Sequence, residues 1–142
     1  MKRKNFSAAS AGACCGAFLA FAAGCSGANI SPEGKDWRLA FVQGQEGQVI
    51  FCSAEYTDLY PEAERADLSC RAENGSLTIA GGKEEYSGTY RETDRDKGAV
   101  IYTAAFGEEA CMMVCSLTER TDGDEWTLVL SSEEYTATFY AD

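Results

Sequence analysis

Histidine is missing from this chain altogether, so its chemistry must be run by thiols, carboxylates, lysines or tyrosines. That absence removes histidine general bases, Ser-His-Asp and Cys-His sites, and nearly all zinc catalysis. No glycine-rich phosphate loop takes their place, because Gly81-Gly82 and Gly44/Gly47 are followed by no helical pattern. Four cysteines stand in the body of the chain, Cys52, Cys70, Cys111 and Cys115. In an oxidising compartment an even set reads as disulfides. Cys111 and Cys115 share one extended run and lie roughly 13 Å apart at about 3.3 Å per residue, beyond the roughly 7 Å between Cα atoms that a disulfide spans. Cys52 and Cys70 lie on consecutive runs and are the expected pair; closing that loop would add about 3 kcal/mol. Cys111 and Cys115 then act as small apolar residues. A four-thiol metal site lacks any Cys-x-x-Cys pair here, and growth without oxygen would leave every thiol reduced.

Carboxylates and tyrosines are the other candidates. Asp94-Arg95-Asp96-Lys97-Gly98 begins like a calcium loop, but its glycine is out of place and no bidentate glutamate follows at the required position. Solvated turns are the expectation, with no metal and no cofactor. An enzyme built on paired carboxylates would need two of them about 5–9.5 Å apart beside a cleft; a non-enzymatic protein is expected instead. Tyr86, Tyr90 and Tyr102 could stack on a sugar or an aromatic ligand, or serve as strand formers whose hydroxyls reach the surface.

These side chains are carried by short alternating runs cut by turn residues, the mark of an all-β sandwich or barrel. Trp37-Leu39-Phe41 alternate on one face. Runs at 48–54, 68–72, 76–80, 85–92, 99–106, 110–120, 126–131 and 135–140 follow. Asn74-Gly75 is a strong hairpin signal, since both residues tolerate positive φ. Asp58 to Asp67 breaks the alternation, and Pro61 with the helix formers Glu62 to Arg65 predicts one short helix or helical turn. Consecutive strands with such short links pair with one another. The expected fold is therefore all-β, an up-and-down antiparallel meander closing into a small barrel of about 8–9 strands. Its lumen is expected to be filled by Trp37, Leu39, Leu77, Met113, Leu128 and Phe139 among others. Alternate hairpins share an end, so Glu84, Glu85, Glu108, Glu109, Glu133 and Glu134 should gather at one rim. Glu73, Asn74, Asp94, Asp96, Asp122, Asp124 and Glu125 should gather at the other.

The first residues set the compartment. Lys2, Arg3 and Lys4 precede an uncharged small and apolar run from Phe6 to Ala23, which ends on Ala23-Gly24-Cys25. That layout is a secretory signal peptide. With a cysteine directly after the small pair, it resembles the lipobox of bacterial lipoproteins. The resemblance implies that Cys25 receives diacylglycerol and becomes the new N-terminus. Simple secretion with Cys25 left as a thiol is the alternative. A retained anchor is a third, although a span needs about 20 strongly apolar residues. The expected divisions are a signal peptide over 1–24, a lipidated cysteine and flexible tether over 25–35, and a barrel domain over 36–142. The expected location is outside the cytoplasm, lipid-anchored; Ser26 offers no aspartate to argue for retention in an inner membrane.

With 23 Asp and Glu against 12 Lys and Arg the chain carries −11, and loss of the three signal cations would leave the rest more acidic. Such a surface excludes nucleic acid, whose phosphates need cationic partners. It also leaves the lipid, rather than the protein surface, to hold the membrane. Asp36-Trp37-Arg38-Leu39, Glu85-Tyr86-Ser87-Gly88-Thr89-Tyr90 and Tyr135-Thr136-Ala137-Thr138-Phe139 resemble the lipocalin-like, calycin-type small lipoproteins of bacterial envelopes. That likeness spans most of 36–140. It implies a barrel that binds a small apolar ligand or meets a partner at the surface, and it supplies no catalytic motif. A basic protein partner is the alternative, with the chain an acidic inhibitor of a basic envelope-attacking enzyme. Lysozyme-inhibiting barrel lipoproteins are similar in size and acidity, but they carry a basic residue after their Ser-Gly, whereas Ser87-Gly88 is followed by Thr89.

Overall fold

Alternating apolar and polar residues build ten strands in the computed structural model, which describes residues 29–142. They are β1 (Trp37–Gln43), β2 (Val49–Cys52), β3 (Glu64–Arg65), β4 (Ser69–Glu73), β5 (Ser76–Gly81), β6 (Glu84–Arg95), β7 (Ala99–Phe106), β8 (Glu109–Thr118), β9 (Glu125–Ser131) and β10 (Thr136–Ala141). The signal peptide expected over 1–24 and the lipidation expected at Cys25 fall outside the described residues.

Strands β4 to β10 form an antiparallel meander, and β1 joins its two ends by pairing with β10 along one edge and β4 along the other. The result is a closed eight-stranded barrel, as the hairpin spacing predicts. Asn74 and Gly75 take φ of 50° and 82° in the tight turn between β4 and β5, the conformation that a two-residue hairpin needs. Eight strands leave a lumen that side chains just fill. Trp37, Leu39, Leu77, Val100, Met113, Cys115, Leu128 and Phe139 occupy it with almost no exposure.

Three local features depart from the alternation. In β1, Leu39 lies opposite Phe139 while Phe41 lies opposite Thr138, so Ala40 is an extra residue. Such a bulge inverts the phase of the strand and turns Phe41 to the outer face instead of the lumen. There its ring meets Tyr56 and Tyr60 edge-on, at centroid separations of 6.2 and 5.4 Å.

Those two tyrosines belong to the excursion between β2 and β4. It does hold one helical turn, a 3-10 turn at Ala54–Tyr56, which lies before Pro61 rather than after it. Glu64 and Arg65, read as helix formers, pair in parallel with Phe51 and Cys52. Strands β2 and β3 thus form a flap outside the barrel, continuing from the far half of β1.

The third departure is the stretch read as a flexible tether. Residues 30–35 are seated across one end of the barrel, with Ile30 and Pro32 buried. The Trp37 indole donates to the Pro32 carbonyl at 2.8 Å. Two apolar residues and a sequestered backbone acceptor outweigh the polar composition of the segment.

Gly88, on β6, has no room for a side chain: a Cβ there would lie 2.4 Å from the Ala105 carbonyl oxygen and 2.7 Å from the Phe106 ring. Because one contact is backbone, Gly88→Ala should destabilise the barrel by about 1–3 kcal/mol. Urea denaturation would read this as a lower midpoint with an unchanged slope.

Candidate functional site

The parity of the hairpins makes the two ends of the barrel different. Loops β4–β5, β6–β7 and β8–β9 lie at one end. Loops β1–β2, β5–β6, β7–β8 and β9–β10 lie at the other.

The first end is closed by the segment 30–35. Glu33 makes a parallel bridge to Ala72, and its carboxylate accepts hydrogen bonds from the Asn74 amide at 3.0 Å and the Tyr90 hydroxyl at 2.8 Å. Lys35 stands 3.8 Å above the Trp126 ring and donates to the Ser31 carbonyl. The Arg95 guanidinium reaches the Ile30 carbonyl. Polar groups in this cover are therefore matched to partners, and Arg71–Asp36, Arg95–Glu92 and Arg120–Glu125 ion pairs stand around the same end.

The opposite end is open. A pocket of about 170 Å³ enters the lumen there, lined mainly by Ile79, Phe106, Cys111, Leu130, Tyr135 and Ala137. Its volume is close to the roughly 150 Å³ of an apolar cavity that takes up benzene, and well below the 300–1,000 Å³ or so of drug-sized sites. One ring or one short branched chain fits. Below it the lumen is packed, so the site is a shallow mouth rather than a channel.

The rim has the composition that the hairpin parity predicts. Glu84, Glu85, Glu108, Glu109, Glu133 and Glu134 are all exposed in the loops around this mouth or at the strand ends beside them, with Lys83 as a cation among them. Among the described residues, the ion pairs engage none of these six glutamates. Tyr135 forms one wall of the pocket and is 50% exposed; Tyr86, opposite Ile79 across β5 and β6, is 55% exposed.

The expected ligand-contacting aromatics therefore divide. Tyr86 stands at the mouth. Tyr90 and Tyr102 pack edge-to-face at 5.4 Å toward the closed end, where Tyr90 is committed to Glu33. Burial raises both phenols to about 12, helped for Tyr90 by that hydrogen bond.

The cysteines divide too. Cys70 lies in the lumen, opposite Trp37 and Ile79. Cys52 lies opposite Phe41 on the outer face, its Sγ 4.0 Å from the Tyr60 carbonyl oxygen. The Ala40 bulge that turns Phe41 outward turns its partner strand with it. The expected Cys52–Cys70 bond is thus replaced by two free thiols on opposite sides of the wall. Cys111 and Cys115 share the inner face of β8 and are also free. Burial lifts the Cys70 thiol to about 12 and Cys115 to about 11. Cys111, half-buried in the pocket wall, is raised by burial and then by the charge of Glu109, which leaves it protonated and weakly nucleophilic at neutral pH.

The pocket walls escape sequence reasoning because Ile79, Leu130 and Ala137 carry the same alternation as the core. The usable signal is their place as the last inward residues before the acidic hairpins. Ser87-Gly88, the pair compared with an inhibitory loop, lies within β6 rather than in a loop. No protein-family model matches the chain, and neither a curated protein nor a solved structure is similar enough to match it.

Two outcomes follow for the ionisable groups. A phenol whose pKa is raised by folding stabilises the fold fully below its ordinary value of 10, and that contribution is lost as pH rises toward about 12. Stability measured by denaturation should fall across that window, and less steeply in Tyr90→Phe. Among the four barrel thiols, maleimide should label Cys111 first. Its rate should still be climbing at pH 9, the ordinary thiol value; a plateau below that pH, or Cys52 reacting faster, would contradict this assignment.

Proposed function

We propose that this protein is a non-enzymatic, lipid-anchored interaction module held outside the cytoplasm, which presents the open mouth of a small β-barrel to its surroundings. The observation that carries the reading is the inequality of the two ends: one sealed by the N-terminal segment, the other open, apolar within and acidic around. A signal segment ending on Cys25 supplies the anchor.

Four residues lie between Cys25 and Ile30, and those five residue steps reach roughly 17 Å at full extension. An anchor at Cys25 would therefore hold the sealed end against the membrane and point the mouth away from it. The acidic surface adds no affinity for anionic lipid, so attachment rests on the acyl chains. A filled lumen favours contact with one side chain or headgroup at the mouth over enclosure of a whole lipid, for which the 170 Å³ pocket is too small.

The test is the intact mass of the protein extracted from its own membranes. The mass expected is that of residues 25–142 plus a diacylglyceryl group, with Cys25→Ser releasing the protein from the membrane fraction. A lipid-free mass, or membrane attachment unchanged in Cys25→Ser, would overturn the anchor.

A further inference from the structure

The mouth combines two features that select for one kind of occupant. Its pocket accepts a single apolar group of about the size of a benzene ring. Its rim holds Glu84, Glu85, Glu108, Glu109, Glu133 and Glu134 against Lys83, with none of the six in an ion pair among the described residues. Five arginines, by contrast, are engaged elsewhere: Arg38, Arg65, Arg71, Arg95 and Arg120 each hold a carboxylate away from this mouth. Negative charge is thus left unpaired around an open apolar pocket.

We infer that the mouth is a docking site for a basic protein segment that inserts one aromatic or branched aliphatic side chain between lysines or arginines. This deepens the reading of the mouth as an interaction surface and rests on it. Charge complementarity selects cationic residues and speeds encounter, while the pocket takes the anchoring side chain. Tyr86 and Tyr135 stand half-exposed beside the pocket, extending the contact beyond what a lone ring would touch; tyrosine is among the residues that dominate binding at such surfaces. A second copy of this chain does not suit the site, because its own mouth carries the same charge.

The test uses the full chain in detergent and a capped pentapeptide of four lysines around a central phenylalanine. Binding is read by calorimetry or fluorescence at two salt concentrations. The peptide should bind, weaken as salt rises, and bind about tenfold more weakly or worse when serine replaces phenylalanine. Glu85→Lys, Glu108→Lys and Glu133→Lys together should weaken it further and flatten the salt dependence; all three residues are exposed, so the variant keeps the core intact. Ala137→Phe should fill the pocket and abolish only the preference for phenylalanine over serine.

Equal binding of the serine peptide would overturn the inference in favour of unspecific attraction to an acidic surface. Equal binding of a peptide of four glutamates around phenylalanine would overturn it in favour of a purely apolar site. Benzene displacing the basic peptide completely while binding as tightly would point to a small-molecule pocket. Because the titration needs no anchor, its failure leaves the lipid question to the mass measurement, and a lipid-free mass leaves this one standing.

Discussion

Closure of the sheet through β1 is the constraint on which the rest of this molecule depends. β1 gives one whole edge to β10 and divides the other between β4 and β2. Closure satisfies the backbone donors and acceptors that an open sheet would expose at its edges. It also fixes the width of the lumen, and with it the core. Eight strands admit one layer of inward side chains from each side, and Trp37, Leu39 and Phe139 fill the space where the chain's first and last strands meet. Once the interior is full, recognition is left to the ends. The division of β1's second edge has its own effect, because it pushes β2 and β3 outside the barrel. Their flap is fastened by the Phe41, Tyr56, Tyr60 and Tyr140 rings.

Much of this was written in local sequence. Asn74-Gly75 specifies its turn from two residues, and the acidic hairpins declare their shared end through parity alone. What local reading misses depends on long-range geometry. Nothing in Leu39-Ala40-Phe41 marks an extra residue; the bulge becomes visible only when Phe139 and Thr138 choose their partners across the closure. Its consequences run further than one side chain, since the same phase change sends Cys52 away from Cys70.

The segment 30–35 is misread for a related reason. Its composition is that of a linker, but Ile30 and Pro32 find a barrel end of matching size, and Glu33 finds an amide and a phenol. The pocket residues were legible as apolar and inward; that the core stops short of them was not, because alternation does not say where a lumen ends.

Pairing between β1 and β10, the first and last strands of the barrel, also governs when the structure can form. Arg38 meets Asp142 across 104 residues, and the β1–β10 ladder spans almost the whole domain. Closure on that scale carries a large entropic cost before any contact rewards it, which places such folds among the slower ones. The meander from β4 to β9 can assemble by hairpins as it is synthesised, but it stays an open sheet with two bare edges until the last strand is available. Native order therefore arrives late and all at once, with Thr136–Ala141 as the closing piece. A chain truncated before them would keep most of its local pairings and none of its topology.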